Sequence, residues 1–297
     1  MLINAFLEYL HSLFFAFKET LAMDDADIEQ RARLLCQGLV DGIAKSNLCT
    51  VTTAIYDTAW LSMISKKEGG VERWLFPESF QYLLSQQLSN GGWESYATKE
   101  DGIVNTLGAL LALTRHRGST NSAVKLQDAI QSATSCLEGS LQTLVIDGSL
   151  PVGFEIVVPA LLAMLEDEGV HVAFPAKRPL LAIGKIKMEA FTPDSLYNTT
   201  ETTLFHSLEA LVGKIDFDRL RHRKVFGSMM ASPASTAAYL MNVSSWDQEA
   251  EFYLWRVILE GSGKGNGSVP SVFPTPIFET SWVRLIYVGK GSKTHIL

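Results

Sequence analysis

An all-α fold is what this sequence predicts, and three observations lead there. Apolar residues recur at spacings of three and four through most of the chain. No segment alternates with period two for long enough to make a sheet. The stretch Tyr82–Trp93 reads aromatic-Leu-x3-Gln-x3-Gly-x-Trp, a helix that stops at a glycine turn. In that turn Gly91 or Gly92 supplies the left-handed residue, Gln87 caps an orphan backbone group, and Trp93 covers the joint.

Taken in order, Ile28, Ala32, Leu35, Leu39 and Ile43 make a helical stripe over 25–46, with Asp24, Asp25 and Asp27 at its start, where negative charge suits the helix dipole. Helices follow at 54–66, 76–88, 103–115, 122–145, 155–167, 202–213, 233–242 and 247–260. The stretch 174–199 carries Pro175, Pro179 and Pro193 and is expected to be an irregular crossing. The glycine- and proline-rich stretch 261–276 reads as a loop or an inter-domain linker.

The chain has 297 residues, enough for one large or two ordinary domains, with 47% apolar and 19% charged residues. A net charge of −7 without a Lys/Arg stripe argues against a nucleic-acid partner. Cys36, Cys49 and Cys136 are scattered without metal spacing, so a reducing, cytoplasmic setting is expected. Residues 1–17 are rich in Leu and Phe, but Glu8 and His11 interrupt them and they are too short to span a bilayer. Residues 1–24 are read as an extension outside the fold, because Met23 opens a fresh acidic helix start.

Several constellations carry polar groups in apolar surroundings. Tyr56 and Trp60 lie at i,i+4 in Tyr-Asp-Thr-Ala-Trp, an aromatic core stripe that leaves Asp57 to bond across to a neighbour. Glu155 stands in an apolar run after Gly153 and is either partnered in the core or a helix N-terminal acid. His206 sits in the run Leu204–Glu209, where a lone histidine is more often a satisfied core residue than a reactive one. Thr98 and Asp101 have capping-box spacing, and Asp101 and Asn105 are one helical turn apart.

Six segments occur in an order similar to that of class II diterpene cyclases: Tyr56–Trp60, the Gly92-Trp93 turn, Val152–Leu162, Leu204–Glu209, Ser232–Thr236 and Val269–Glu279. The chain resembles the N-terminal part of fungal-type copalyl diphosphate synthases, including the bifunctional copalyl diphosphate/ent-kaurene synthases, over residues 25–286. The resemblance implies a helical α-barrel: 25–50 as the first helix of a β-like domain, 51–262 as a γ-like domain, and 263–286 as the return into β. Residues 287–297 match nothing in the family.

For function, the resemblance implies protonation-initiated cyclisation of geranylgeranyl diphosphate to a copalyl-type diphosphate, with Mg²⁺ as cofactor. Glu100, Asp101 and Asn105 resemble the acidic γ-domain motif that holds Mg²⁺ near the diphosphate. His206 resembles the histidine that holds the deprotonating water in plant relatives, and Ser271 stands where its asparagine partner is expected. Trp93, Phe154, Phe273 and Trp282 either face the carbocations or are core.

The proton donor of the family is an Asp-x-Asp-Asp motif. Asp24-Asp25-Ala26-Asp27 has the wrong order, Asp216-Phe217-Asp218-Arg219 fails at its fourth position, and Glu166-Asp167-Glu168 is an ordinary solvated run. The class I Asp-Asp-x-x-Asp motif is also missing. The expectation is therefore a truncated cyclase, inactive alone, with a non-catalytic helical fragment or binding module as the alternative.

Overall fold

Helix α1 (Ile55–Ser62) is the element around which the others gather: it packs on α2 (Pro77–Gln86), α3 (Lys99–Arg115) and α8 (Pro233–Asn242). These and the other elements come from a computed structural model that describes residues 30–31, 34, 51–93, 95, 97–118, 123–147, 150–198 and 202–275. Val51–Phe273 forms one compact unit, and the residues flanking it belong to a second. The expected helix over 25–46 lies almost wholly outside the described residues, as do the 1–24 extension, Trp282 and the 287–297 tail.

Helix α3 supplies much of the core. Leu107, Leu110, Leu111 and Leu113 are fully buried, and α4 (Ala123–Leu141) and α5 (Phe154–Asp167) pack against it. Gly108 lets α1 approach closely, because a Cβ there would press on the Tyr56 ring. Helix α6 (Lys177–Glu189) lies on α5, and the short α7 (Asp194–Tyr197) precedes three 3-10 helices at Thr203–His206, Leu208–Leu211 and Phe217–Arg223. Helix α9 (Gln248–Glu260) packs on α8.

The turn at Tyr82–Trp93 forms as its residues demand. Gly91 takes the left-handed role at φ +89°, Gln87 Nε2 donates to the carbonyls of Gly91 (2.9 Å) and Ala129 (3.0 Å), and the Trp93 indole donates to Leu83 O at 3.0 Å. Trp93, Phe154 and Phe273 are all buried, so the core role is the one they play.

Four expectations need correction. The stretch 174–199 is not irregular, since α6 occupies its middle. Pro179 falls in the first turn of that helix, where a missing N–H costs nothing, so the proline marks a helix start rather than a break. The stretch 202–213 is not one α-helix but two 3-10 pieces broken at Ser207. Leu208 N–H donates to Ser235 Oγ at 3.2 Å instead of to the carbonyl four residues back, so a tertiary bond replaces a helical one.

Strands also form. β2 (Ser65–Glu68) and β3 (Val71–Trp74) make an antiparallel hairpin through Gly69 and Gly70, both at positive φ, which is the geometry of a two-residue hairpin turn. The expected helix 54–66 therefore stops earlier, at Ser62. A second, two-residue pairing joins β1 (Thr53–Ala54) to β4 (Val269–Pro270). The stretch before β4 is packed loop rather than linker: Ser79 Oγ donates to Gly267 O at 2.6 Å, and Val269 and Phe273 are fully buried.

Candidate functional site

Helix α1 carries three polar side chains in a row into the core. Tyr56 Oη donates to Glu209 Oε1 at 3.2 Å, Asp57 Oδ1 accepts from Ala234 N–H at 3.1 Å, and Thr58 Oγ1 accepts from Val269 N–H at 3.1 Å. The Asp57 bond reaches the first turn of α8, whose own cap is Ser232 accepting from Ser235 N–H. Asp57 thus satisfies a second orphan amide of that helix from outside, on the end where a negative group is favoured. The expected cross-helix role of Asp57 is the one observed.

Glu209 is the buried residue that the sequence reading passed over. It is 2% exposed, and its second oxygen accepts from Ser235 Oγ at 2.9 Å. Burial pushes its carboxyl up to about 7. Burial also raises Asp57 to about 7, against the opposing effect of the Ala234 N–H and with a smaller push from the Glu209 charge. Tyr56 is raised as well, by burial first and then by Glu209. The result is a buried acid cluster in which each carboxyl is held by neutral donors. A sequence signal for it existed: Glu209 stands in the apolar run Leu208–Val212, just as Glu155 stands in its own.

The two water-holding candidates lie on segments tied to this cluster. His206 closes the first 3-10 helix, and Ser271 follows β4. His206 presents its side chain to the surface, yet neighbouring atoms crowd the ring enough to lower its pKa from the ordinary value. It is not the satisfied core histidine that residue statistics favour. Ser271 is half-buried, and no hydrogen bond joins the two side chains.

The acidic motif sits at the start of α3. Thr98 caps that helix by accepting from Asp101 N–H at 3.2 Å, which is the N-cap half of a capping box. Burial raises the Asp101 carboxyl, the Thr98 hydroxyl opposes this, and Glu100 adds to it. Glu100, Asp101 and Asn105 are all half-buried in or near the first turn. Among the described residues no group of three or more His, Cys, Asp or Glu is gathered for a metal ion. As a donor set, Asp101 and Asn105 fit Mg²⁺ only in the manner of sites that complete their coordination with substrate phosphates.

Known proteins share part of this sequence and its fold. No protein-family model matches the chain. It is 45% identical over 266 residues to a copalyl diphosphate synthase of Talaromyces verruculosus, covering 88% of this chain and 28% of that protein. It is 43% identical over 278 residues to an ent-kaur-16-ene synthase of Phaeosphaeria sp., covering 89% of this chain and 29% of that one. Among solved structures, abietadiene synthase from Abies grandis matches with a TM-score of 0.69 at 26% identity, over 84% of this chain and 32% of that one. The chain is a partial match to the class II diterpene cyclase family. The ent-copalyl diphosphate synthase of Arabidopsis thaliana shares the fold, with a TM-score of 0.67 at 23% identity over 88% of this chain and 38% of that one. The chain spans just over a quarter of the length of these fungal relatives.

The cyclase-like segments explain why the cluster was legible only in part. Four of the six that carry the resemblance meet at α1: Tyr56–Trp60 itself, Leu204–Glu209, Ser232–Thr236 and the start of Val269–Glu279. Other polar groups escaped the sequence reading. His116 is stacked between Trp74 and Phe80, both at 3.8 Å between ring centroids, with Nε2 against Ser62 O at 2.8 Å. Burial lowers its pKa, so it is a neutral core histidine. Asp247 caps α9, accepts from Tyr239 Oη at 2.7 Å and pairs with Lys224 at 2.6 Å. Glu155 is partnered in the first turn of α5, by Lys187 of α6. A cavity of about 330 Å³ lies beside Trp60, Met63, Arg115 and Trp246.

Proposed function

We propose that this chain is the γ-like portion of a class II diterpene cyclase that works on geranylgeranyl diphosphate, with residues 51–262 as that portion. The observation that carries the reading is the convergence of the resembling segments on one hydrogen-bonded junction, in a chain 45% identical to a copalyl diphosphate synthase. In this reading His206 and Ser271 hold the water that removes the final proton. A lowered His206 pKa keeps the imidazole neutral near pH 7, which a base requires. Asp101 and Asn105 would hold Mg²⁺ beside the substrate diphosphate, where the ion would supply charge neutralisation. Glu100 adds negative charge to the same turn.

The acid that starts the reaction has to be a carboxyl kept protonated beside an alkene. Burial raises the Asp57 and Glu209 carboxyls to about 7, but Ala234, Tyr56 and Ser235 occupy their oxygens and no alkene can reach them. The Asp-x-Asp-Asp motif is not in this sequence. Incubated with geranylgeranyl diphosphate and Mg²⁺, the purified chain is expected to give no bicyclic diphosphate. A bicyclic product would mean that an acid within these 297 residues starts the chemistry, and would overturn the assignment.

The missing acid favours one second reading, a cyclase-derived helical module that binds a prenyl diphosphate or another protein without turnover. Retention of the substrate by the chain with no product under any complementation would support it.

A further inference from the structure

Consecutive side chains leave an α-helix about 100° apart, so Tyr56, Asp57 and Thr58 cannot serve one neighbour. Each serves a different one. Tyr56 holds Glu209 of the second 3-10 helix, Asp57 holds Ala234 at the start of α8, and Thr58 holds Val269 of β4. The three partners lie 153, 177 and 211 residues further along the chain. The hydroxyl proton of Thr58 is committed to Ala54 O at 2.7 Å, which leaves its lone pairs for Val269. A further tie closes the circuit, because Ser235 Oγ of α8 donates to Glu209 and accepts from Leu208 N–H.

The positions of these ties matter because of what lies next to them. Glu209 is three residues beyond His206, and Val269 is two residues before Ser271. Both candidate water-holding residues therefore stand at the ends of short spans anchored to the same eight-residue helix. A greasy contact would let each span slide, whereas hydrogen bonds to buried groups fix direction as well as distance.

We propose that Tyr56, Asp57 and Thr58 are positioning residues that set the segment bearing His206 and the segment bearing Ser271 in fixed relation to one another through α1. The proposal rests on the water-holding reading for its functional meaning. Its mechanical content concerns only how two segments are held. Asp57 acts indirectly, by fixing α8, and α8 in turn holds Glu209 through Ser235. Tyr56 acts on the His206 segment and Thr58 on the Ser271 segment, so the two halves of the device are separable by mutation.

The test is made on the whole chain by NMR, reading the His206 ring pKa and the exchange rate of the Val269 amide. In Tyr56→Phe the His206 pKa is expected to rise towards the ordinary imidazole value by roughly 0.3 unit or more as the span hydrates, with Val269 exchange unchanged. In Thr58→Val the Val269 amide is expected to exchange at least about tenfold faster, the loss of one buried hydrogen bond, with His206 unchanged. Thr58→Ser should restore the slow rate. Leu126→Ala, in the core on α4, serves as a control that lowers the melting temperature without touching these ties.

Selective responses in the two variants, absent from the control, support the proposal. It is overturned if neither readout moves, or if Leu126→Ala moves both as much as the α1 variants do. Neither readout depends on turnover, so a finding that His206→Ala leaves a complete cyclase active would remove the water-holding role without altering these results.

Discussion

At the scale of the residue, Asp57 and Glu209 show how burial changes what a carboxyl does. Neither has a basic partner: their bonds come from a backbone amide, a phenol and a serine hydroxyl. Both pKa values stand at about 7 in the fold against 3.8 and 4.5 ordinarily, so the folded chain holds their protons more tightly than the open chain. Their contribution to stability is full below about pH 4, declines as pH rises, and is gone above about 7. Glu209→Gln keeps an acceptor for one of the Tyr56 and Ser235 hydroxyls, lets its amide donate to the other hydroxyl oxygen, and removes the titration. At pH 8 it should be more stable than the parent by roughly 1–2 kcal/mol, and its melting temperature should fall less between pH 5 and pH 8. Thermal melts across that range check this, and an unchanged pH dependence would show that Glu209 does not titrate there. The role of Asp57 could be read from the sequence, since a lone acid beside an aromatic stripe must find a partner. Glu209 offered the same signal, a lone acid in the apolar run Leu208–Val212.

At the scale of the element, local chemistry decided what was legible. The turn after α2 was readable because its residue types have few uses: a glycine at φ +89° and a glutamine reaching two carbonyls leave little freedom. Gly91→Ala is expected to cost about 2 kcal/mol or more, because a side chain there is strained by the left-handed backbone and runs into the Ser132 backbone of α4. Denaturant unfolding measures this, and a loss near zero would mean that the turn is not set by its glycine. The 3-10 pieces and α6 were misread for opposite reasons. In the first, Ser235 takes the Leu208 amide away from its helical partner, a contact 27 residues distant that no local pattern contains. In the second, Pro179 was taken as punctuation although the first helical turn tolerates it. The hairpin through Gly69 and Gly70 was missed because Ser65–Glu68 is too polar to read as a strand, yet the glycine pair itself was the signal.

At the scale of the whole molecule, the Val51–Phe273 unit is organised from α1 outward, and four of the six segments that resemble diterpene cyclases are held by α1. In those ties the two ends lie far apart along the chain. No helix among the described residues is long and apolar enough to cross a membrane. The relatives are more than three times as long as the segment matched here. The most direct measurement is a graft in which this chain replaces the matching 266-residue segment of the Talaromyces verruculosus copalyl diphosphate synthase, assayed for copalyl diphosphate. The account predicts product from the graft and its loss on His206→Ala, with the parent enzyme active alongside. A folded graft that yields no product, or one indifferent to His206, would contradict it.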